Sequence, residues 1–313
     1  MTRLSRALTA AGLTLTATLA AVGGNAVLAA IGGSAALPAA GGSAAHAAAR
    51  ICDAYGTTTV QDRYIVMNNR WGAATEQCIA VTGTGFAITA DHHKATNGAP
   101  AAYTAVYYGC HYGTCSPGTT LPMQLARIGR ATSNATFTYP ATGIYNVSYD
   151  IWLDPAPNGR TTNRQELMIW FAKRGPIHPV GSKVGTTTIG GRSWDVWSGF
   201  NGTSAVVSYV ARSPLTSWNV DVLSFVDDVR TRSKVTASWY LTSIQAGFEP
   251  WVGGTGLGVT TFGATVTAGT RPQPSKTPSK APSKAPSKAP SKAPSTQAPP
   301  TSAAPRCPSP TGR

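Results

Sequence analysis

Gln165-Glu166-Leu167-Met168-Ile169-Trp170-Phe171 is the stretch whose reading decides the fold. Read as a β-strand, it alternates between faces: Glu166, Met168 and Trp170 share one, while Leu167, Ile169 and Phe171 share the other. A carboxylate beside a thioether and an indole is unusual on a solvated face. The pattern suits a groove in which an aromatic ring stacks on a flat substrate and an acid does chemistry. A core strand with one edge glutamate is the plainer alternative. A second segment weighs against it, because Gln245-Ala246-Gly247-Phe248-Glu249-Pro250-Trp251 again sets an acid, Glu249, in phase with an indole, Trp251. The chain has three glutamates, Glu76, Glu166 and Glu249. Two of them stand in apolar, aromatic strand contexts, where a catalytic pair belongs.

Outward from that stretch the same period recurs. From Gly143 to Leu153, Tyr145, Val147, Tyr149, Ile151 and Leu153 lie on one face and Asn146, Ser148, Asp150 and Trp152 on the other. The apolar set should face a core, leaving Asp150 and Trp152 on a more polar, concave side. Asp154-Pro155-Ala156-Pro157-Asn158-Gly159 ends this strand, since proline donates nothing to a ladder. After the Glu166 strand, Arg174 to Gly181 reads as a loop of turn residues. Strands are expected at Lys183–Ile189, Ser193–Trp197, Ala205–Ala211, Trp218–Val220, Val235–Phe248 and Val259–Val266. Asp221 to Arg232 is the one good helix candidate, with Val222, Phe225, Val226 and Val229 forming its apolar stripe. Upstream, Thr57–Met67 reads as one strand, Asn68-Asn69-Arg70-Trp71-Gly72 as a turn presenting an indole, and residues 97–122 as a long irregular segment. Many short strands with a single helix argue for an all-β sandwich or barrel, and about 220 residues suffice for its core.

The ends differ from the body. Between Ile51 and Thr270 there are fifteen Lys+Arg against twelve Asp+Glu, so the excess of positive charge sits mostly at the termini. With no basic cluster in the body, a nucleic-acid groove is not expected. Residues 1–49, with Arg3 and Arg6 before a long Ala/Leu/Val/Gly stretch, read as an export signal, with an uncleaved anchor as the alternative. No later stretch is apolar enough to span a bilayer. Residues 270–313 read as an extended, solvated spacer: six prolines recur every four residues from Pro274 to Pro294, each followed by serine. Residues 50–269 remain as the catalytic β-sandwich domain of a secreted, extracellular protein. In an oxidising compartment the economical pairing is Cys52–Cys78 and Cys110–Cys115, although other pairings stay open and Cys307 is left over. A zinc site is the weak rival, since no Cys-x-x-Cys occurs and the histidines lack ligand spacing.

Two carboxyls facing a sugar-sized groove are the minimum apparatus for cleaving a glycosidic bond. One is protonated to assist the leaving oxygen, and the other is ionised to attack carbon or activate water. Pyranose faces pack on indoles, and the chain has eight tryptophans. Other schemes fare worse, with no Gly-x-Ser-x-Gly elbow and no phosphate-binding glycine loop before a helix.

Seven stretches in order carry a resemblance: Asn68-Asn69-Arg70-Trp71-Gly72, Asn97-Gly98-Ala99-Pro100, Gly109-Cys110-His111-Tyr112, Tyr149-Asp150-Ile151-Trp152-Leu153, Glu166-Leu167-Met168-Ile169-Trp170, Pro179-Val180-Gly181-Ser182 and Gln245 to Trp251. From about Ile51 to Phe262 the sequence resembles glycoside hydrolase family 12, secreted endo-β-1,4-glucanases, and is most similar to their actinobacterial members. The resemblance implies a jelly-roll of two curved, antiparallel sheets with one helix on the convex side and the cleft on the concave face. It implies a retaining mechanism with Glu166 as nucleophile, Glu249 as acid/base and Asp150 assisting the nucleophile. Asn69, Trp71, Met168, Trp170, Pro179 and Trp251 match cleft-lining positions, and Cys52–Cys78 and Cys110–Cys115 match the bridges of bacterial members. Tyr55 stands where some fungal members carry tryptophan. The implied partner is a β-1,4-glucan chain, bound by a monomer without cofactor or metal. A xyloglucan-specific or mixed-linkage enzyme on the same scaffold is the near alternative, and a non-catalytic carbohydrate-binding jelly-roll the distant one.

The residues argue for the same chemistry. Asp150 beside Glu166 brings two carboxyls together, and like charges resist joint ionisation. A shared proton would steer which oxygen of Glu166 is free to attack. Glu249, between Phe248 and Pro250-Trp251, sits in an apolar setting that should keep it protonated, as an acid must be.

Overall fold

A computed structural model describes residues 49–96, 98–157 and 161–271. The expected export segment, the Pro/Ser/Lys tract, Cys307, Asn97 and residues 158–160 lie outside the described residues.

Two sheets stack face to face. The larger has eleven strands, nine in one path: Ser182–Ile189, Arg192–Phe200, Ala205–Ala211, Gln165–Arg174, Ile144–Asp154, Tyr240–Val252, Thr104–His111, Tyr64–Met67 and Thr57–Val60. The smaller has six, in the order Arg50–Ile51, Gln77–Thr82, Gly85–Asp91, Gly258–Ala268, Ile128–Thr138 and Ser217–Asp221. Pairing is antiparallel as expected, except that Gln165–Arg174 runs parallel to Ala205–Ala211. The alternation read from the sequence holds. Tyr145, Val147, Tyr149, Ile151 and Leu153 all enter the main core with Leu167, Ile169 and Phe171. Phe137 sits at its centre, with ring centroids of Tyr149, Phe171 and Phe248 at 6.2, 5.4 and 5.6 Å. Truncating such a ring to alanine costs about 3–5 kcal/mol.

The helix Val222–Arg232 forms where the apolar stripe placed it. Asp221 caps it, accepting from Leu223 N at 3.1 Å, and Arg230 and Arg232 fall in its last turn, where cations suit the dipole. Phe225 packs on Trp194, Tyr209 and Trp218, the first two from strands of the larger sheet and the third from the edge strand of the smaller. The helix therefore covers core-facing surface that six strands leave uncovered beneath eleven.

Several segments differ from expectation. Thr57–Met67 is a hairpin, not one strand: Gln61 and Asp62 turn the chain with φ of 50° and 48°. Within the segment expected to be irregular, Thr104–His111 is a buried strand hydrogen-bonded on both sides. The Val235 strand starts at Tyr240. Gln77–Thr82, Gly85–Asp91 and Ile128–Thr138 are further strands with no counterpart in the sequence reading. Both disulfides pair as expected, Cys52–Cys78 and Cys110–Cys115. Among the described residues no helix is long and apolar enough to cross a membrane.

Candidate active site

Three neighbouring strands of the larger sheet carry the acids on the face turned away from the main core. Across the central strand Ile144–Asp154, Trp152 pairs with Glu166 on one side and Asn146 with Glu249 on the other. Asp150 lies between, opposite Met168 and Gln245. Although this face has no second sheet over it, Asn146, Ser148, Asp150, Glu166, Met168, Trp170 and Gln245 are all buried. A flat sheet would expose such a row; burial requires that the sheet curl and its flanking loops close over it.

Glu166 is 8% exposed and accepts a 2.7 Å hydrogen bond from Asn201 Nδ2. Burial raises its pKa, while hydrogen bonds from Asn201 and Asp150 act in the opposite sense by stabilising the anion. Asp150 is pushed well above the carboxylate range by burial first and then by the charges of Glu166 and Glu249. Its Oδ2 accepts from Trp152 Nε1 at 2.9 Å, and its Oδ1, buried with no donor from the protein, is left to carry the proton that its raised pKa retains beside Glu166. Glu249 is gripped at both ends by Asn146, whose Oδ1 accepts from Glu249 N at 3.0 Å and whose Nδ2 donates to Glu249 Oε2. Burial, reinforced by the charge of Glu166 and opposed by Asn146, lifts Glu249 to about 8. The two glutamates thus have different partners: two donors favour charge on Glu166, whereas Glu249 is biased toward holding a proton at neutral pH.

Met168, Trp170 and Trp251 join Val206 in a small apolar cluster beside these acids. Trp170 is 2% exposed and aims Nε1 at Met168 Sδ at 3.5 Å, so it forms floor, not an open stacking platform. A register irregularity between Ile144 and Tyr145 leaves Trp251 as the extra residue of its strand, and its Nε1 donates to Gly98 O at 2.9 Å. Pro179 is buried in the loop after Arg174. Trp71, at 46% exposed, is the open indole, and Tyr55 is open too. Of the other tryptophans, Trp194 is in the main core, Trp218 and Trp239 pack against it, and Trp197 stacks on His178 with centroids 5.2 Å apart.

The turn bearing Asn69 and Trp71 rests on a closed polar network. Asn69 has a φ of 43°, its Nδ2 donates to Tyr103 O, and Tyr103 N donates back to Asn69 O, both at 3.1 Å. Beneath it, Gln77 Nε2 donates to Asn68 Oδ1 at 2.7 Å and Thr104 Oγ1 at 2.6 Å, and Thr104 Oγ1 donates to Asn68 O at 2.7 Å. His93 completes the set: Nε2 donates to Gln77 Oε1 at 3.0 Å and Nδ1 accepts from Thr75 Oγ1 at 2.7 Å. Burial lowers its pKa to about 4, so the ring is neutral and one tautomer serves both bonds.

Asn146, Asn201 and Tyr103 were not singled out from the sequence as site residues. Alternation puts Asn146 on the polar face, but its partner lies 103 residues away and only the strand register brings the two together.

This arrangement has counterparts. Glycosyl hydrolase family 12, as a family model, matches residues 62–267. A "probable cellulase Cel12b" from Mycobacterium tuberculosis is 50% identical over 149 residues, covering 48% of this chain and 99% of that protein. A "probable xyloglucan-specific endo-beta-1,4-glucanase A" from Aspergillus terreus is 31% identical over 211 residues, covering 64% and 81%. Among solved structures, an endo-1,4-beta-glucanase CelB2 is 50% identical with a TM-score of 0.68, covering 70% of this chain and 99% of its own. Cel12A from Rhodothermus marinus is 36% identical with a TM-score of 0.67, at 70% and 99% coverage. With the family match running from the Thr57–Met67 hairpin to the last strand, across both acids, the chain belongs to glycosyl hydrolase family 12 and is a glycoside hydrolase.

Proposed function

We propose that the protein is a secreted endo-β-1,4-glucanase that cleaves internal bonds of cellulose-type glucans with retention of configuration. The observation that carries the reading is the pair Glu166 and Glu249, flanking one strand on one face, with donors that favour charge on the first, and with burial and the charge of Glu166 favouring a proton on the second.

In the first step a carboxylate oxygen of Glu166 attacks the anomeric carbon while Glu249 gives its proton to the glycosidic oxygen, and the C–O bond to the leaving chain breaks. Asn201 and the proton on Asp150 hold Glu166 in place and occupy lone pairs not used in attack. Once Glu166 is an ester it carries no charge, so one cause of the raised Glu249 pKa disappears. Glu249, now an anion, is then suited to take a proton from water, whose oxygen attacks the anomeric carbon and frees Glu166. Trp71 offers an open face to a pyranose, and Met168, Trp170 and Trp251 give the apolar floor that keeps the carboxyls poorly solvated.

The test is reducing-sugar release from soluble cellulose derivatives, mixed-linkage β-glucan and xyloglucan, by the wild type and by Glu166→Gln and Glu249→Gln. Each substitution should lower kcat by roughly a thousandfold or more while the melting temperature does not fall. Early product examined by NMR should be the β anomer, and azide should rescue Glu166→Ala as the α-glycosyl azide and Glu249→Ala as the β. An early α anomer would mean inversion, and the reverse azide pattern would exchange the roles. Preference for xyloglucan over unbranched chains would move the substrate to the branched polymer named for the Aspergillus terreus relative.

A further inference from the structure

The structure assigns Tyr103 a function beyond the acids: we infer that its phenol O–H is a hydrogen-bond donor to the glucosyl unit lodged between Glu166 and Glu249. The inference rests on the proposed glucanase reading and adds a sugar-binding residue to it.

Three observations carry it. The first is position. Tyr103 immediately precedes the strand Thr104–His111, in which Thr104 pairs with Phe248, so continuing the register by one residue sets Tyr103 against Glu249. Its side chain clusters with Ile65, Met67, Ala105 and Tyr107, apart from the main core. The second is the hydroxyl itself. Tyr103 is 5% exposed, yet its oxygen makes no hydrogen bond within the protein. A buried hydroxyl without a partner costs the fold stability, and such groups in native proteins call for a reason. The third is its surroundings, since Asp150, Glu249 and Glu166 all act on the phenol electrostatically. Burial and those three carboxyls hold its pKa well above the ordinary value, so the group is a neutral donor at any working pH. A sugar carries the matching acceptors, hydroxyl and ring oxygens, and a ring placed between the two glutamates lies beside this donor. The mutual hydrogen bonds of Tyr103 and Asn69 fix the backbone of Tyr103 against the Trp71 turn, so the donor does not drift.

Tyr103→Phe tests it, because the change removes only the hydroxyl. The free enzyme loses no internal hydrogen bond, so the melting temperature should hold or rise. In contrast, kcat/KM on soluble β-glucan should fall roughly 10- to 100-fold, with both limbs of the pH profile unmoved. A Tyr103→Phe enzyme with wild-type kcat/KM overturns the inference. So does a shift of the alkaline limb with an unaltered plateau, which would mean the hydroxyl acts on Glu249 and not on sugar. Failure of the glucanase reading looks different: wild type and variant alike would release no reducing sugar. Titration calorimetry with cellotetraose needs no turnover and decides that case, because equal Kd for the two proteins overturns the inference and a weaker Kd for Tyr103→Phe upholds it.

Discussion

Replacing Asp150 by asparagine and by alanine separates two roles that its carboxyl can play. Burial and two neighbouring carboxylates keep Asp150 protonated, so its contribution is that of a donor to Glu166 and an acceptor from Trp152 Nε1, not of a charge. Asparagine preserves both bonds, with Oδ1 facing the indole and Nδ2 facing Glu166. Its cost should be limited to the difference between an O–H and an N–H donor, about 1 kcal/mol or roughly fivefold in kcat. Alanine removes a hydrogen bond to a charged acceptor, worth about 1.5–3 kcal/mol, or roughly 10- to 150-fold. It also strands a buried indole N–H. Without that bond the anion of Glu166 is less favoured, and the acid limb of kcat/KM against pH should rise by about 1–2 units, at about 1.4 kcal/mol per unit. The assay is the full pH–rate profile of the three enzymes on soluble β-glucan, with thermal melts to separate folding from chemistry. An asparagine variant as damaged as the alanine one would mean that Asp150 works as an anion, and the shared-proton account would be wrong.

Further expectations concern stability. The pKa of Glu249 is raised from 4.5 to about 8 on folding, so its neutral form stabilises the fold below about pH 4.5, and that contribution is lost as pH rises through about 8. Glu249→Gln should therefore melt with the wild type near pH 4.5 and above it beyond pH 8; parallel curves would refute the shift. Replacing Cys52 and Cys78 by serine opens a bridge spanning 26 residues and should cost about 3.5 kcal/mol, against about 2 for Cys110–Cys115, which spans 5. Denaturant melts of the two double variants measure the difference, and a larger loss at the short bridge would refute it. Deleting residues 272–313 keeps Arg271, which bonds Asp227 on the helix, and should leave melting temperature and soluble-substrate activity unchanged. A drop of several degrees would mean the tail docks on the body.

Much of this was legible because a strand with one face in a core writes a period of two into its residues. Gln165–Arg174 and Ile144–Asp154 do so, and the acids then appear as intruders on the other face. The Thr57–Met67 hairpin escaped because its turn uses Gln61 and Asp62 at positive φ, where glycine or asparagine would have announced it. Thr104–His111 escaped because the strand is buried on both faces, so it does not alternate, and because Gly109 and Cys110 resemble loop punctuation. Glu166 and Glu249 were recognisable one at a time, each beside an aromatic residue. Asn201, Asn146 and Tyr103 were not, since their roles depend on which residues the register sets opposite them, 35 positions off for Asn201 and 103 for Asn146.

The polar network under the Trp71 turn joins the two sheets, with Thr104 in a strand of the larger and Asn68 directly after another, and Gln77 in a strand of the smaller and His93 just past another. Hydrophobic contacts are forgiving of exchange, whereas the donors here are matched to acceptors in fixed directions. Substitutions at these positions should therefore be tolerated in matched sets and not singly. A change at Gln77 in the smaller sheet would reach the open indole of Trp71, proposed above to face the sugar. Attempts to alter sugar grip at that end of the cleft would do well to begin in this seam and not among the residues that touch the chain.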